Sequence, residues 1–223
     1  MSTPVFSHVI FDLDGTILDT LEDLAFAANH TCELFGWPTF PVHAYRYKVG
    51  NGMERLVERI APAEFAGDAT VLGRALAELR SCYEEHKYDH TKPYEGVIDM
   101  LSALRTSGVT LAVLTNKDHT AATPLVDRHF GAGCFQLVQG HIEGYEPKPA
   151  APITLHVLEQ LDADPKRTLY VGDSNVDVET GHNAGLRVTG AAWGFRGRDE
   201  LEAAGADYII DAPAQLIDIV CEG

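Results

Sequence analysis

The chain is poor in the features that would make it a secreted, membrane-bound or nucleic-acid-binding protein. Four cysteines are scattered at Cys32, Cys82, Cys134 and Cys221, with no CxxC pair and no zinc-like grouping, so they read as reduced thiols. No apolar run approaches the ~20 residues of a membrane helix, and no basic segment followed by a long apolar one precedes Asp12. The expected location is therefore cytoplasmic. Positive charge is scarce: 17 Lys and Arg face 33 Asp and Glu, a formal charge of −16 with a pI near 4.9. That balance disfavours nucleic acid and anionic membrane as partners. There is no internal repeat and no low-complexity segment. What remains, 223 residues with 45% hydrophobic content, is enough for a packed core of one large domain or two small ones.

Against this background, Asp12-Leu13-Asp14-Gly15-Thr16 stands out, because two carboxylates follow the apolar run Val9-Ile10-Phe11 and a Gly-Thr turn comes next. In an extended strand, side chains two positions apart share a side, so Asp12 and Asp14 can converge on one ion or substrate group. Converging like charges repel unless a cation or proton lies between them, and Mg²⁺ suits hard carboxylate oxygens combined with substrate phosphate. Five residues alone fit an acidic turn before a helix equally well. Three further pieces follow in order: Thr115-Asn116-Lys117 after Leu111-Ala112-Val113-Leu114; Lys148-Pro149 in a polar stretch; and Gly172-Asp173-Ser174-Asn175-Val176-Asp177 after Leu169-Tyr170-Val171. Together they make an anion-binding, metal-binding constellation.

This ordered set resembles the haloacid dehalogenase superfamily of aspartate-nucleophile phosphatases and mutases, whose motifs are DxDGT, a Ser or Thr after a later strand, a Lys, and GDxxxD. The resemblance implies Asp12 as the nucleophile that forms an aspartyl-phosphate, and Asp14 as acid and then base, with its backbone carbonyl on the metal. It implies Mg²⁺ held by Asp12, Asp14 and Asp173, with Asp177 in an outer role. Thr115 would donate its hydroxyl to a phosphoryl oxygen, and the Asn116 amide would do so if a helix begins there. Lys148 would offset the phosphate charge and help keep Asp12 ionised. Family members often read K-P-x-P at the lysine. Here Lys148-Pro149-Ala150-Ala151-Pro152 has the second proline one place later, which bears on how the next helix starts.

From Gly96 onward, strand-like and helix-like runs alternate: helix Gly96 to Arg105, strand Thr110 to Thr115, helix Thr120 to His129, strand Phe135 to Val138, helix Ile153 to Leu161, strand Thr168 to Gly172, then outer strands at Leu186 to Gly190 and Asp207 to Ile210. The alternation predicts an α/β fold, a doubly wound parallel sheet with the Asp12 strand central and the Thr115 and Asp173 strands beside it. Between about Asp19 and His90 the pattern turns helical, at Leu21 to Leu34, Met53 to Ile60 and Val71 to His86. This resembles the helical cap inserted after the first strand in one branch of the superfamily, giving a Rossmann-like core of residues 1–18 and 91–223 and a cap of 19–90. Hinges are expected near Asp19 to Leu21 and Tyr88 to Pro93.

Gly50-Asn51-Gly52 marks a tight turn with positive backbone angles before Met53. With the following L-V-E-R it resembles the phosphoglycolate phosphatases, which makes Asn51 and Gly52 candidate substrate contacts. Arg46, Lys48 and Arg55 are candidates for a substrate carboxylate, and Arg196 or Arg198 for a loop contact. The resemblance therefore implies a Mg²⁺-dependent phosphomonoesterase for a small phosphorylated metabolite, with 2-phosphoglycolate as the expected substrate. Another small ester or pyrophosphate is the alternative, and a hexose-phosphate mutase a further one. The pattern leaves the oligomeric state open.

Overall fold

The computed structural model describes residues 4–222. The chain divides into two compact units, one containing the chain up to Leu18 and from Pro93 on, the other Asp19–Lys92. No helix among the described residues is long and apolar enough to cross a membrane.

In chain order the elements are β1 (His8–Phe11), β2 (Leu18–Asp19), α1 (Leu21–Phe35), α2 (Met53–Ile60), α3 (Ala69–His86), β3 (Lys92–Pro93), α4 (Val97–Thr106), β4 (Thr110–Asp118), α5 (His119–Phe130), β5 (Leu137–His141), α6 (Ala151–Gln160), β6 (Thr168–Gly172), α7 (Asn175–Asn183), β7 (Arg187–Ala191), α8 (Arg198–Ala204), β8 (Tyr208–Ile210) and α9 (Gln215–Glu222).

In the first unit the six-stranded sheet runs β5-β4-β1-β6-β7-β8, and every pairing in it is parallel. From β1 the chain builds outward through β4 and β5, then crosses to β6 and builds the other way. The order therefore reverses at β1, and in sheets of this kind ligands bind beyond the carboxyl ends of the strands at such a reversal. Phe11 is level with both Val113 and Val171, so Asp12 emerges between the ends of its two neighbours. This is the central placement that the alternation predicts. The strands read as near-continuous apolar runs because both faces are covered. On one face Ile10, Ala112, Leu114, Tyr170 and Val188 pack with Ile153 and Val157 of α6, Val178 of α7 and Leu201 of α8. On the opposite side of β1, Phe11 meets Phe135 edge-on at 6.4 Å, and Phe135 meets Phe130 at the end of α5.

The second unit is helical. Gly36, at φ 69°, ends α1, and the Trp37 amide donates back to the Cys32 carbonyl. Asp68 caps α3 by accepting from the Thr70 and Val71 amides. The buried Asp23 carboxylate of α1 accepts from the amides of His90 and Thr91 and from the Thr91 hydroxyl. A charged acceptor thus pins the segment leading out of this unit.

Candidate active site

Asp12 leaves β1 with its amide bonded to the Val171 carbonyl at 2.8 Å, and the residue is buried. Asp173 follows β6, and Asp177 lies in the first turn of α7. Their carboxylate oxygens come within 4.8 Å of one another, all buried. Asp177 is fixed from its own helix: its Oδ2 accepts from the Ser174 hydroxyl at 2.7 Å and from the Ser174 amide at 3.2 Å, the reciprocal box of a helix start. Asp173 is held by the Phe195 amide at 2.7 Å and the Thr16 hydroxyl at 3.4 Å. Two glycines make this approach possible. A Cβ on Gly194 would overlap the Asp173 side chain and the Gly15 carbonyl, and one on Gly15 would lie 2.6 Å from Asp173 Oδ2.

Lys148 projects into this group. Its Nζ donates to Asp12 Oδ1 at 2.7 Å, Asp177 Oδ1 at 2.8 Å, the Tyr170 hydroxyl at 2.9 Å and the Leu114 carbonyl at 3.1 Å. The displaced second proline does not disturb it, because α6 starts at Ala151 and Pro152 occupies the first turn, where a missing N–H costs no helical bond. The Lys148 backbone is bracketed by Asn116, whose Oδ1 accepts from the Lys148 amide at 2.8 Å and whose Nδ2 donates to the Lys148 carbonyl at 3.1 Å. No helix begins at Asn116. Strand β4 continues to Asp118 through a register shift after Leu114, so the condition for a helix-terminal amide there is not met. A polar continuation of a strand carries no helix signal to prevent the error, and its burial comes from the site it lines.

Burial and crowding set the electrostatics. Desolvation pushes the Asp12 carboxyl up to about 7, with Lys148 pulling the other way and Asp177 and Asp14 adding to the rise. Burial, then Asp177 and Asp12, hold Asp173 well above the usual carboxylate range. Burial works against the charge on Lys148, but Asp12 and Asp177 outweigh it and keep the ammonium protonated. Three grouped carboxylates, two of them on one ammonium, are a donor set of hard oxygens with charge to spare, which fits a divalent cation. The Asp14 carboxylate is not in that group. It pairs with Lys117 Nζ at 3.1 Å. The expected metal contact of Asp14 is its backbone carbonyl, which this pairing leaves unaffected.

Two residues of the site carry no signal in the sequence patterns. Lys117 reads as a loop lysine after the Thr115 motif, yet it is 7% exposed. Tyr170 reads as a core strand aromatic, yet its hydroxyl bridges Lys148 and the Leu114 carbonyl. Thr115 is buried, and its Oγ1 accepts from the Lys117 amide at 3.2 Å. In the helical unit, Gly50 and Gly52 have φ of 99° and 87°, the positive angles expected of that turn. Asn51 is engaged there by Arg59, whose Nη2 donates to Asn51 Oδ1 at 2.7 Å. Arg55 pairs with Glu58 and Arg198 with Asp211, and Lys48 donates to the Arg59 carbonyl.

Comparison with known proteins agrees with this geometry. The model of the haloacid dehalogenase-like hydrolase family matches residues 9–191, and the chain belongs to that family. It is an enzyme of the class that its motif set resembles. Among curated relatives, a phosphoglycolate phosphatase of Chromobacterium violaceum is 34% identical over 217 residues, covering 96% of each chain. Another from Aquifex aeolicus is 30% identical, covering 95% of each. Among solved structures, CbbY from Rhodobacter sphaeroides in complex with phosphate is 27% identical with a TM-score of 0.73, covering 95% of this chain and 96% of that one.

Proposed function

We propose that this enzyme hydrolyses small phosphate monoesters through an aspartyl-phosphate on Asp12, with 2-phosphoglycolate as its substrate. The observation that carries the reading is Asp12 itself: a buried carboxylate at the switch point of the sheet, 2.7 Å from a buried lysine and grouped with two more carboxylates. The relatives named phosphoglycolate phosphatases, aligned over nearly the whole chain, support the substrate.

An anionic nucleophile approaches a phosphate ester only when charge is neutralised and the attack is in line. Lys148 orients Asp12 and offsets charge on the transferring group. Asp12 attacks phosphorus and the bond to the alkoxide breaks. Asp14 gives that oxygen a proton, then takes one from the water that hydrolyses the acyl phosphate, regenerating Asp12. Thr115 has an O–H to donate to a phosphoryl oxygen, since it only accepts from Lys117. Asp12 and Asp173, with the Asp14 backbone carbonyl, would hold Mg²⁺, and Asp177, engaged by Lys148 and Ser174, would complete the acidic group around it; the ion would supply positive charge between nucleophile and phosphate. The unit Asp19–Lys92 is proposed as the cap of the resemblance, with Asn51 and Gly52 as its substrate contacts.

The test is phosphate release from 2-phosphoglycolate, β-glucose 1-phosphate, glycerol phosphates, nucleoside monophosphates and pyrophosphate, with Mg²⁺ or EDTA, beside Asp12→Asn. Metal-dependent release chiefly from 2-phosphoglycolate, absent in the variant, is the expected result. Preference for another ester or pyrophosphate overturns the substrate, and release that survives in Asp12→Asn overturns the mechanism. Phosphoryl return to a sugar in place of release would make the enzyme a mutase.

A further inference from the structure

We infer that Lys117 is the residue that recognises a carboxylate on the leaving group, and that its pairing with Asp14 is exchanged for the substrate's own anion. The inference rests on the 2-phosphoglycolate reading and deepens it.

Three observations lead there. First, Lys117 follows Thr115 by two residues where β4 shifts register, and the Lys117 amide donates to the Thr115 hydroxyl oxygen, which ties the two residues together. If Thr115 faces the phosphoryl group, Lys117 faces what is attached to it. Second, Lys117 Nζ lies 3.1 Å from Asp14 Oδ2. Asp14 must come within about 2.6–3.2 Å of the ester oxygen to protonate it. In 2-phosphoglycolate the carboxylate is separated from that oxygen by one methylene, so an ammonium touching Asp14 is within reach of it. Third, the lysine on the nucleophile side is already taken. Lys148 is committed to Asp12 and Asp177. A substrate carboxylate brought into a site already crowded with acids is costly unless a positive partner receives it. Lys117, 7% exposed, pairs with the carboxylate at the leaving-group side.

The experiment measures kcat and KM for 2-phosphoglycolate and for ethyl phosphate, which lacks the carboxylate, with wild type, Lys117→Met, Lys117→Gln and Lys117→Arg. The readout is the ratio of the two kcat/KM values. Both are taken on one preparation, so the fraction of folded protein cancels, and Lys117→Gln serves if the Met variant is insoluble. In wild type the ratio strongly favours 2-phosphoglycolate. In Lys117→Met it falls at least about tenfold, mainly through a higher KM for 2-phosphoglycolate, and Lys117→Arg recovers part of it. If Lys117→Met slows both substrates by one factor and the ratio stands, Lys117 serves only to hold Asp14 and the inference is overturned while the substrate reading survives. If wild type shows no preference for the carboxylate-bearing ester, the substrate reading and this inference fall together.

Discussion

Replacing Lys148 with methionine keeps the length and volume of the side chain and removes its charge, which isolates what the ammonium does. Four acceptors lose a donor: Asp12, Asp177, the Tyr170 hydroxyl and the Leu114 carbonyl. Removing one partner of a buried ion pair costs about 3–5 kcal/mol, because the remaining charge is left uncompensated. The cost depends on pH, and its sign follows from Asp12. In the folded protein its carboxyl is raised from 3.8 to about 7, so the folded state binds the proton more tightly than the unfolded chain does. Stability from this group is fully present below about pH 4 and is lost as pH rises through about 7. Lys148 is the main influence opposing the rise, so its removal steepens the loss. Urea unfolding of metal-free Lys148→Met beside wild type should therefore show about 3–5 kcal/mol of destabilisation near pH 8, and less than half of that near pH 5, where Asp12 takes a proton instead. A deficit below about 1 kcal/mol at both pH values, or an equal deficit at both, would falsify the claim that Lys148 is held by uncompensated buried carboxylates.

Other consequences can be checked the same way. Millimolar Mg²⁺ should raise the thermal midpoint more near pH 8 than near pH 5, since a cation bound by Asp12 and Asp173 beside Asp177 competes with protons at low pH; an equal rise at both, measured by scanning fluorimetry, would argue against binding there. Gly194→Ala places a methyl group against Asp173 and the Gly15 carbonyl, so a loss of about 1–3 kcal/mol together with weaker Mg²⁺ stabilisation is expected from the same melts. Asp23→Ala leaves the amides of His90 and Thr91 without their acceptor, a loss of roughly 2–4 kcal/mol by urea unfolding, with faster amide exchange concentrated at those two residues.

Most elements were legible because their apolar periodicity agrees with their place in the fold. Met53–Ile60 and Thr168–Gly172 match the expected bounds, α1 runs one residue further at its end, and α4 and α5 differ by one residue at both ends. The errors have physical causes. Strand β5 lies two residues later than expected, because Phe135 packs against Phe11 and Phe130 from the loop before the strand begins. Helix α7 went unassigned because NVDVETGHN has a weak apolar stripe and is started by the Ser174 and Asp177 box. Strand β4 runs three residues past the expected Thr115, because the apolar run ends there and Asn116, Lys117 and Asp118 are polar. Asn116 and Lys117 are buried by polar partners: Lys148 brackets Asn116, and Asp14 pairs with Lys117. No local pattern reveals that pairing, since Lys117 and Asp14 are remote in sequence and become neighbours only when β1 and β4 align.

The charge arrangement explains why these partnerships belong together. Asp12, Asp173 and Asp177 carry three negative charges when ionised, and Lys148 returns one positive charge, which leaves two. Burial makes that surplus expensive, which is why Asp12 and Asp173 hold protons far above the usual carboxylate range. A proton on Asp12 would disable it as a nucleophile, so the proposed chemistry near neutral pH requires something other than protons to balance the group. A divalent cation balances two charges at once and leaves Asp12 ionised, whereas a monovalent ion of similar size leaves one uncompensated. Before substrate binds, Asp14 and Lys117 balance each other outside that account, so the carboxylate proposed as acid and base does not draw on the cation proposed for the nucleophile. In the proposed mechanism, the separation of the two acid groups, Asp12 beside Lys148 and Asp14 beside Lys117 until substrate binds, is what lets carboxylates two residues apart in DxD take opposite roles.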